Sequence, residues 1–236
     1  MKTLTIAAAL SALLLSPLSI ADDQAAALQM AVDHPSRSPA NIARDKYRNP
    51  VATLQFFEVK ADSSVVEIAP GGGWYTEILA PLLAAHGTYY AAHFPADSKS
   101  DYYQRSRAGF VEKLANNPIY NRVQLTEFAP DNSGAIAPKG SADVVLTFRN
   151  LHNWYGNGGD AGMVAIFKDF NAALNPGGVL GVVEHRLPAD KMTGDWQKSG
   201  YFPQALTVSL AEQAGHHGQS LGARIYSGQL GDQHMP

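Results

Sequence analysis

Side chains that can exchange protons follow two apolar runs in the second half of the sequence. Asn150 and His152 come just after residues 144–148, and Glu184 and His185 come just after residues 179–183. Histidine titrates near neutral pH, so either imidazole can remove a proton from a bound substrate. Glu184 can orient one of the histidines or hold the substrate. We therefore predict His152, Glu184 and His185 as catalytic residues.

A structural role for the same residues is the alternative. Arg149 and Glu184 can pair to close one edge of a sheet, and His152 can cap a turn. A metal site of His152, Glu184 and His185 is conceivable by ligand type. No close pair such as His-x-x-x-His supports it, so the sequence predicts no metal.

A glycine loop follows an apolar run in the first half of the sequence. Residues 65–69 (Val-Val-Glu-Ile-Ala) lead through Pro70 into Gly71-Gly72-Gly73. Glycine lets the backbone turn tightly and lets a ligand approach a helix N-terminus without a Cβ in the way. The dinucleotide pattern needs a further glycine at residues 74–76, and the triphosphate pattern needs Gly-Lys-Ser/Thr; both are absent. The loop therefore does not favour phosphate binding.

Short apolar runs alternate with helical patterns from residue 61 onward, and these elements must position the polar residues. Such continuously apolar runs are typical of parallel strands that are covered on both faces. The alternation predicts an open, doubly wound, Rossmann-like α/β sheet with a ligand crevice at the carboxyl ends of its strands. The predicted strands are residues 65–69, 89–92, 123–126, 144–148 and 179–183, and the predicted helices between them include 75–83, 102–114 and 163–174.

Several motifs together carry a resemblance to a known family. Glu67, Ala69, Gly71 and Gly73 have a spacing that resembles the first motif of class I S-adenosylmethionine-dependent methyltransferases. Residues 174–180 look like the turn before the fifth strand of those enzymes. Over about residues 31–215 the chain is also similar to a group of exported bacterial predicted methyltransferases, through the motifs at 67–81, 148–154 and 183–186.

The resemblance implies a class I methyltransferase fold, S-adenosylmethionine as cofactor and a small-molecule acceptor. The residues that it places at the cofactor are Glu67, Ala69, Gly71, Gly73, Trp74, His93, Glu127 and Asn150. His93 departs from the family pattern, because the second strand normally ends in an acid that accepts from both ribose hydroxyls. A neutral imidazole accepts only one such bond. Asp97 could reach back to help, and Glu127 could bind the adenine amino group with Phe128 stacking beside it.

The two ends of the chain differ from the central domain at residues 61–215. Residues 1–21 combine Lys2, an apolar run and small residues, which predicts a secretory signal cleaved after Ala21 and hence a periplasmic or secreted protein. Residues 22–60 are expected to form a helical lid segment. Its residues Arg44, Asp45, Tyr47 and Arg48 could cover the cofactor, but charges at this spacing more often form a solvated face, which is the expectation here. Residues 216–236 are an atypical tail that does not read as the family's C-terminal strand pair. The fifth strand is therefore expected to have a bare edge.

The composition limits the partners. With 18 basic and 21 acidic residues the net charge is -3, which excludes the strong positive field of a general nucleic-acid binder. The chain has no cysteine, so disulfides and cysteine-bound zinc are excluded. We expect no stable membrane anchor after signal cleavage. The resemblance favours a methyltransferase. One alternative is a noncatalytic exported protein that binds a nucleoside or metabolite. Another is a nicotinamide oxidoreductase, which would have the same kind of sheet but for which the glycine spacing is wrong.

Overall fold

A six-stranded parallel sheet forms the centre of the molecule. The computed structural model describes residues 17–131, 134–216 and 223–226, with side chains for 23–131 and 134–216. The sheet order is β3-β2-β1-β4-β5-β6, and every neighbouring pair is parallel. The strands are β1 (Ser64–Ile68), β2 (Thr88–His93), β3 (Gln124–Glu127), β4 (Ala142–Phe148), β5 (Leu174–Val183) and β6 (Ala223–Tyr226). The predicted doubly wound α/β class is confirmed.

Helices cover both faces of this sheet. They are α1 (Pro17–Val32), α2 (Pro39–Ile42), α3 (Asp45–Arg48), α4 (Pro50–Phe56), α5 (Thr76–Leu83), α6 (Asp101–Ala115), α7 (Leu151–Ala173) and α8 (Gln204–Gln213). Short 3₁₀ turns lie at Pro118–Tyr120, Ala189–Lys191 and Trp196–Lys198. None of the helices in the described part of the chain is long and apolar enough to cross a membrane.

Successive residues of β1, β2, β4 and β5 belong to opposite cores, as the pleat of a strand requires. On β1, Val65 packs with Leu54 and Ile78, in the core that includes side chains of α1, α4 and α5. The next residue, Val66, packs with Phe167 and other side chains of α7 and α8. Because α1 and α4 contribute fully buried leucines, the segment before β1 is packed into the domain.

The tail of the chain differs from expectation. Ala223–Tyr226 forms β6 and pairs in parallel with β5 along Leu180–Val183. The expectation that β5 would have a bare edge is therefore wrong. Residues 217–222 and 227–236 lie outside the described residues, and so does most of the predicted signal sequence, of which only 17–21 belong to α1.

Candidate active site at the carboxyl edge of the sheet

The sheet order places a crevice between the ends of β1 and β4. β1 pairs with β2 on one side and with β4 on the other, so the connections that follow these two strands leave in opposite directions. Such a switch point opens a ligand crevice at the carboxyl edge of an α/β sheet. The glycine loop follows β1, His93 ends β2, Glu127 ends β3, and the two polar clusters follow β4 and β5. The structure thus brings all of the predicted site residues to one edge.

The glycine loop presents free backbone amides to open space. Ala69, Gly71 and Gly73 have positive φ angles of 51°, 58° and 75°. Within the described part of the chain, the N–H groups of Gly71 and Gly72 donate to no protein acceptor, whereas that of Gly73 donates to the Pro70 carbonyl. A Cβ built on Gly71 or Gly72 meets no atom within 4 Å. The space above Gly71 and Gly72, referred to below as the hollow, is therefore open and faces two unsatisfied donors, which suits an anionic group such as a carboxylate.

His93 holds this loop from below. Its Nδ1 accepts from the Phe94 N–H at 2.7 Å, so its Nε2 carries the proton and donates to the Gly71 carbonyl at 3.2 Å. A trans peptide is planar, with its C=O and N–H pointing in opposite directions. The bond to Gly71 therefore directs the Gly72 N–H away from His93.

This geometry does not favour the ribose contact predicted for His93. The ring is fully buried, and both of its nitrogens have partners inside the protein. Burial lowers the pKa of His93 to about 4, so the imidazole is neutral at physiological pH. Asp97 lies exposed in the loop after β2. His93 instead acts on the ligand hollow through the backbone of Gly71.

Glu67 lies beneath the loop rather than in it. It is 3% exposed, and its Oε2 accepts from the Tyr89 hydroxyl at 2.5 Å and from Thr76 Oγ1 at 3.4 Å. Burial raises the pKa of Glu67 to about 7, although both hydroxyl bonds oppose the shift. In this arrangement the carboxylate reaches the loop only through Thr76, so a direct cofactor contact by Glu67 is not favoured.

Trp74 connects the loop to the segment before the sheet. Its Nε1 donates to the Asn41 carbonyl at 2.9 Å, and its ring lies beneath the guanidinium groups of Arg37 and Arg48. Only 6% of Trp74 is exposed. The side chain therefore fixes the segment around α2 and α3 against the sheet and does not face the hollow. The expectation of a solvated face fails for Arg48, which packs on this ring.

The cluster after β4 and β5 centres on Glu184. This side chain is 5% exposed; Oε2 accepts from the Leu151 N–H and Oε1 from the His185 N–H, at 3.0 and 2.8 Å. It therefore caps the N-terminus of α7, where a negative charge is favoured. Nδ1 of His152 lies 3.1 Å from Oε2, but its N–H is not aligned for a hydrogen bond. The structure thus brings Glu184 and His152 together.

His185 and Asn150 flank this pair. Burial lowers the pKa of His185, and the charges of Arg149 and His152 add to that effect, while Glu184 opposes it. Asn150 donates to Thr147 Oγ1 at 3.1 Å and to the Ile68 carbonyl at 3.4 Å. Because Ile68 ends β1, Asn150 joins the acid–base cluster to the strand that carries the glycine loop. Among the described residues, no group of three acidic or histidine side chains is arranged to bind a metal.

The end of β3 does not match the predicted adenine site. Glu127 accepts from the Ala96 N–H at 3.1 Å and pairs with Arg107 at 3.1 Å. Phe128 is fully buried and packs against Trp154 and Phe170. The expectation that Phe128 stacks on a ligand is therefore wrong, because the ring belongs to the core beside α7.

Comparisons with known proteins support the fold. No protein-family model and no curated protein matches the sequence. A methyltransferase from Aquifex aeolicus described as dependent on S-adenosylmethionine aligns with a TM-score of 0.54 at 15% identity, over 81% of this chain and 87% of that one. This chain has the fold of the class I methyltransferases.

Two further structures show how varied the chemistry on this fold is. Geranyl diphosphate methyltransferase, solved in complex with S-adenosylmethionine, aligns with a TM-score of 0.53 at 10% identity, over 79% of this chain and 73% of that one. The [4+2]-cyclase SpnF aligns with a TM-score of 0.52 at 14% identity, over 84% and 71%. The fold alone therefore does not fix the reaction.

Residues that sequence reasoning did not assign to the site also line this edge. Phe148 stacks on Tyr75 with 3.6 Å between ring centroids and an angle of 13° between the planes. Arg149 follows with a positive φ of 60°, so its side chain leaves the strand direction. An aromatic residue that ends a strand directly before an arginine was the signal available in the sequence.

A groove of about 400 Å³ lies at the opposite, amino edge of the sheet, beside Asp143 and Asn175, remote from these residues.

Proposed function

We propose that the protein is an S-adenosylmethionine-dependent methyltransferase that acts on a small-molecule acceptor. The observation that carries this proposal is the open hollow with free N–H groups at Gly71 and Gly72, at the switch point of a class I methyltransferase fold. The amino-acid end of S-adenosylmethionine carries the carboxylate that such donors would bind. The fit is made by backbone atoms, which explains why glycines occupy these positions.

The chain's own residues supply positioning and proton transfer in this proposal. The bound cofactor supplies an electrophilic methyl group on a sulfonium. Gly71 and Gly72 hold its amino-acid end, and His93 keeps the loop in the binding conformation. His152, with Nδ1 beside Glu184, offers Nε2 as the acceptor for the proton that the substrate's nucleophile loses. His185 is the alternative base in the same cluster, since burial favours its neutral form.

Calorimetric titration with S-adenosylhomocysteine tests the cofactor assignment. We expect micromolar binding to the wild-type protein and loss of the heat in Gly71→Arg, whose side chain fills the hollow. Gly194→Arg is a matched control, because Gly194 has nearly the same φ (59° against 58°) and equally open surroundings. A folded wild-type protein that gives no heat contradicts the proposal and leaves the noncatalytic binding protein as the better description.

We further propose that the protein is exported. The support is the pattern of residues 1–21, in which Lys2 precedes an apolar run and small residues precede Ala21. Mass spectrometry of the protein purified from the periplasm of an expressing bacterium tests this. The expected N-terminus is Asp22, and an intact Met1 on protein confined to the cytoplasm contradicts it.

A further inference from the structure

Three arginines from distant parts of the chain lie near one another at the carboxyl edge of the sheet. They are Arg44 and Arg48, from the segment before the sheet, and Arg149, which follows β4. A continuous stack of rings connects them. The Arg48 guanidinium lies 4.6 Å from the centre of the Trp74 ring, which packs edge-on against Tyr75 at 4.5 Å. Tyr75 in turn stacks on Phe148, the neighbour of Arg149.

These arginines lack the charged partners that Arg37 and Arg107 have. Arg37 makes a two-bond pair with Asp45, and Arg107 pairs with Glu127 and donates to the Phe94 carbonyl. Among the described residues, the side chains of the three clustered arginines make no hydrogen bond and no ion pair. The Nε of Arg48 is buried without an acceptor; that of Arg37 is too, but the two other nitrogens of Arg37 donate to Val32 and Asp45. A buried donor in this state lowers stability unless a ligand satisfies it.

The pKa values of these arginines also show an excess of positive charge at this place. Burial lowers the pKa of Arg48 to about 10, and the charges of Arg149 and Arg44 add to the effect. The pKa of Arg149 is also lowered by burial and by Arg44, although Tyr75 and Glu184 oppose the shift. Like charges at this density repel one another in the ligand-free protein. An anion bound among them would remove both the repulsion and the missing hydrogen bonds.

We propose that Arg44, Arg48 and Arg149 form a binding site for a carboxylate or phosphate group of the methyl acceptor. The planar guanidinium matches both anions with two parallel hydrogen bonds. Arg149 lies close enough to Glu184 and His185 for their charges to interact, so an acceptor anchored here is next to the proposed base. This substrate class rests on the proposed function, whereas the anion site itself does not.

Binding of inorganic phosphate to the protein without any nucleoside tests the site. We expect phosphate to raise the melting temperature of the wild-type protein above that in sodium chloride of equal ionic strength. The double variant Arg44→Gln/Arg149→Gln should lose this response, with at least a tenfold weaker affinity for phosphate. Arg105→Gln/Arg122→Gln, at two exposed arginines outside the cluster, is the charge-matched control and should respond like wild type.

Melting temperatures measured without phosphate distinguish a binding role of the arginines from a structural role. Because the arginines repel one another, the double variant should melt no lower than wild type in chloride. A lower melting temperature, together with an unchanged phosphate response, overturns the proposal. Arg149→Lys keeps the charge but not the paired geometry, and we expect an intermediate affinity for phosphate. Equal phosphate responses in wild type, Arg44→Gln/Arg149→Gln and the control Arg105→Gln/Arg122→Gln also overturn it.

A second titration identifies the source of the anion. If the group belongs to the acceptor, phosphate and S-adenosylhomocysteine bind together, and the affinity for S-adenosylhomocysteine is unchanged in Arg149→Gln. If the arginines instead hold the cofactor's own carboxylate, the variant weakens S-adenosylhomocysteine but not methylthioadenosine, and the acceptor assignment is wrong. Phosphate binding without any nucleoside binding overturns the methyltransferase function and retains the anion site.

Discussion

Two buried titratable residues next to the glycine loop have pKa values that move in opposite directions. Burial raises the pKa of Glu67 from 4.5 to about 7 and lowers that of His93 from 6.5 to about 4. Between pH 4.5 and about pH 7, the native state keeps a proton on Glu67 that the unfolded chain has released. This contribution makes the free energy of unfolding fall as the pH rises. Between about pH 4 and pH 6.5, the unfolded chain carries a proton on His93 that the native state has released. This contribution makes the free energy of unfolding rise with pH. The two contributions offset each other over the same range.

Glu67→Gln should therefore make the protein sensitive to acid. The amide mimics the protonated carboxyl and can still accept from the Tyr89 hydroxyl. With the contribution of Glu67 removed, that of His93 remains, and we expect the free energy of unfolding to drop by about 2 kcal/mol between pH 6.5 and pH 4. Urea unfolding of both proteins across this range measures the difference. Parallel pH curves for wild type and variant contradict the prediction.

His93→Phe tests the positioning of the glycine loop. Phenylalanine keeps the ring that packs against Phe110 but cannot donate to the Gly71 carbonyl. The Gly72 N–H is then no longer directed into the hollow, and we expect roughly tenfold weaker binding of S-adenosylhomocysteine, the equivalent of one hydrogen bond. Calorimetry provides the affinity. Reduced stability with unchanged affinity would show that His93 serves only the core.

Glu184→Gln tests the cap of α7. The carboxylate accepts from two backbone N–H groups, one at each oxygen, and an amide has only one accepting oxygen. One buried donor then loses its partner, so we expect the free energy of unfolding to fall by about 1 to 2 kcal/mol. Glu212→Gln, on the exposed face of α8, should change it little. Equal unfolding midpoints for both variants in urea argue against the cap.

At the scale of elements, the strands were predictable because both faces of this sheet are covered. Residues 65–69, 144–148 and 179–183 are predominantly apolar, with Glu67 and Thr147 as exceptions, and all lie within or beside observed strands. The start of α7 was not predictable from apolar periodicity. The predicted helix begins at residue 163, whereas α7 begins at Leu151, because the four glycines at 156, 158, 159 and 162 interrupt the pattern and look like a loop.

The break within α7 gives a paired prediction. Gly159 has φ 54° and ψ −150°, which only glycine adopts without strain, whereas Gly158 is exposed and has no such φ. We expect Gly159→Ala to lower the free energy of unfolding by about 1 to 3 kcal/mol and Gly158→Ala to leave it unchanged or raise it slightly. Chemical denaturation of the two variants compares them. A similar loss in both would mean that α7 is not broken at Gly159.

At the scale of the whole molecule, a net charge of -3 conceals a local excess of positive charge. The sequence shows Arg44 and Arg48 far from Arg149, and no local pattern indicates that the three meet. The same holds for Trp74, whose position after the glycines suggested a ligand contact, although its ring anchors the preceding segment. Local motifs thus identified the loop and the edge of the sheet, while long-range packing decided which side chains face the hollow.

A crystal structure of the protein grown with S-adenosylhomocysteine tests the proposed cofactor site directly. We expect the ligand's amino-acid end to lie within hydrogen-bond distance of the Gly71 and Gly72 N–H groups, on the side of the loop opposite His93. Ligand density in the groove beside Asp143 and Asn175, or an empty hollow at millimolar ligand, would contradict it.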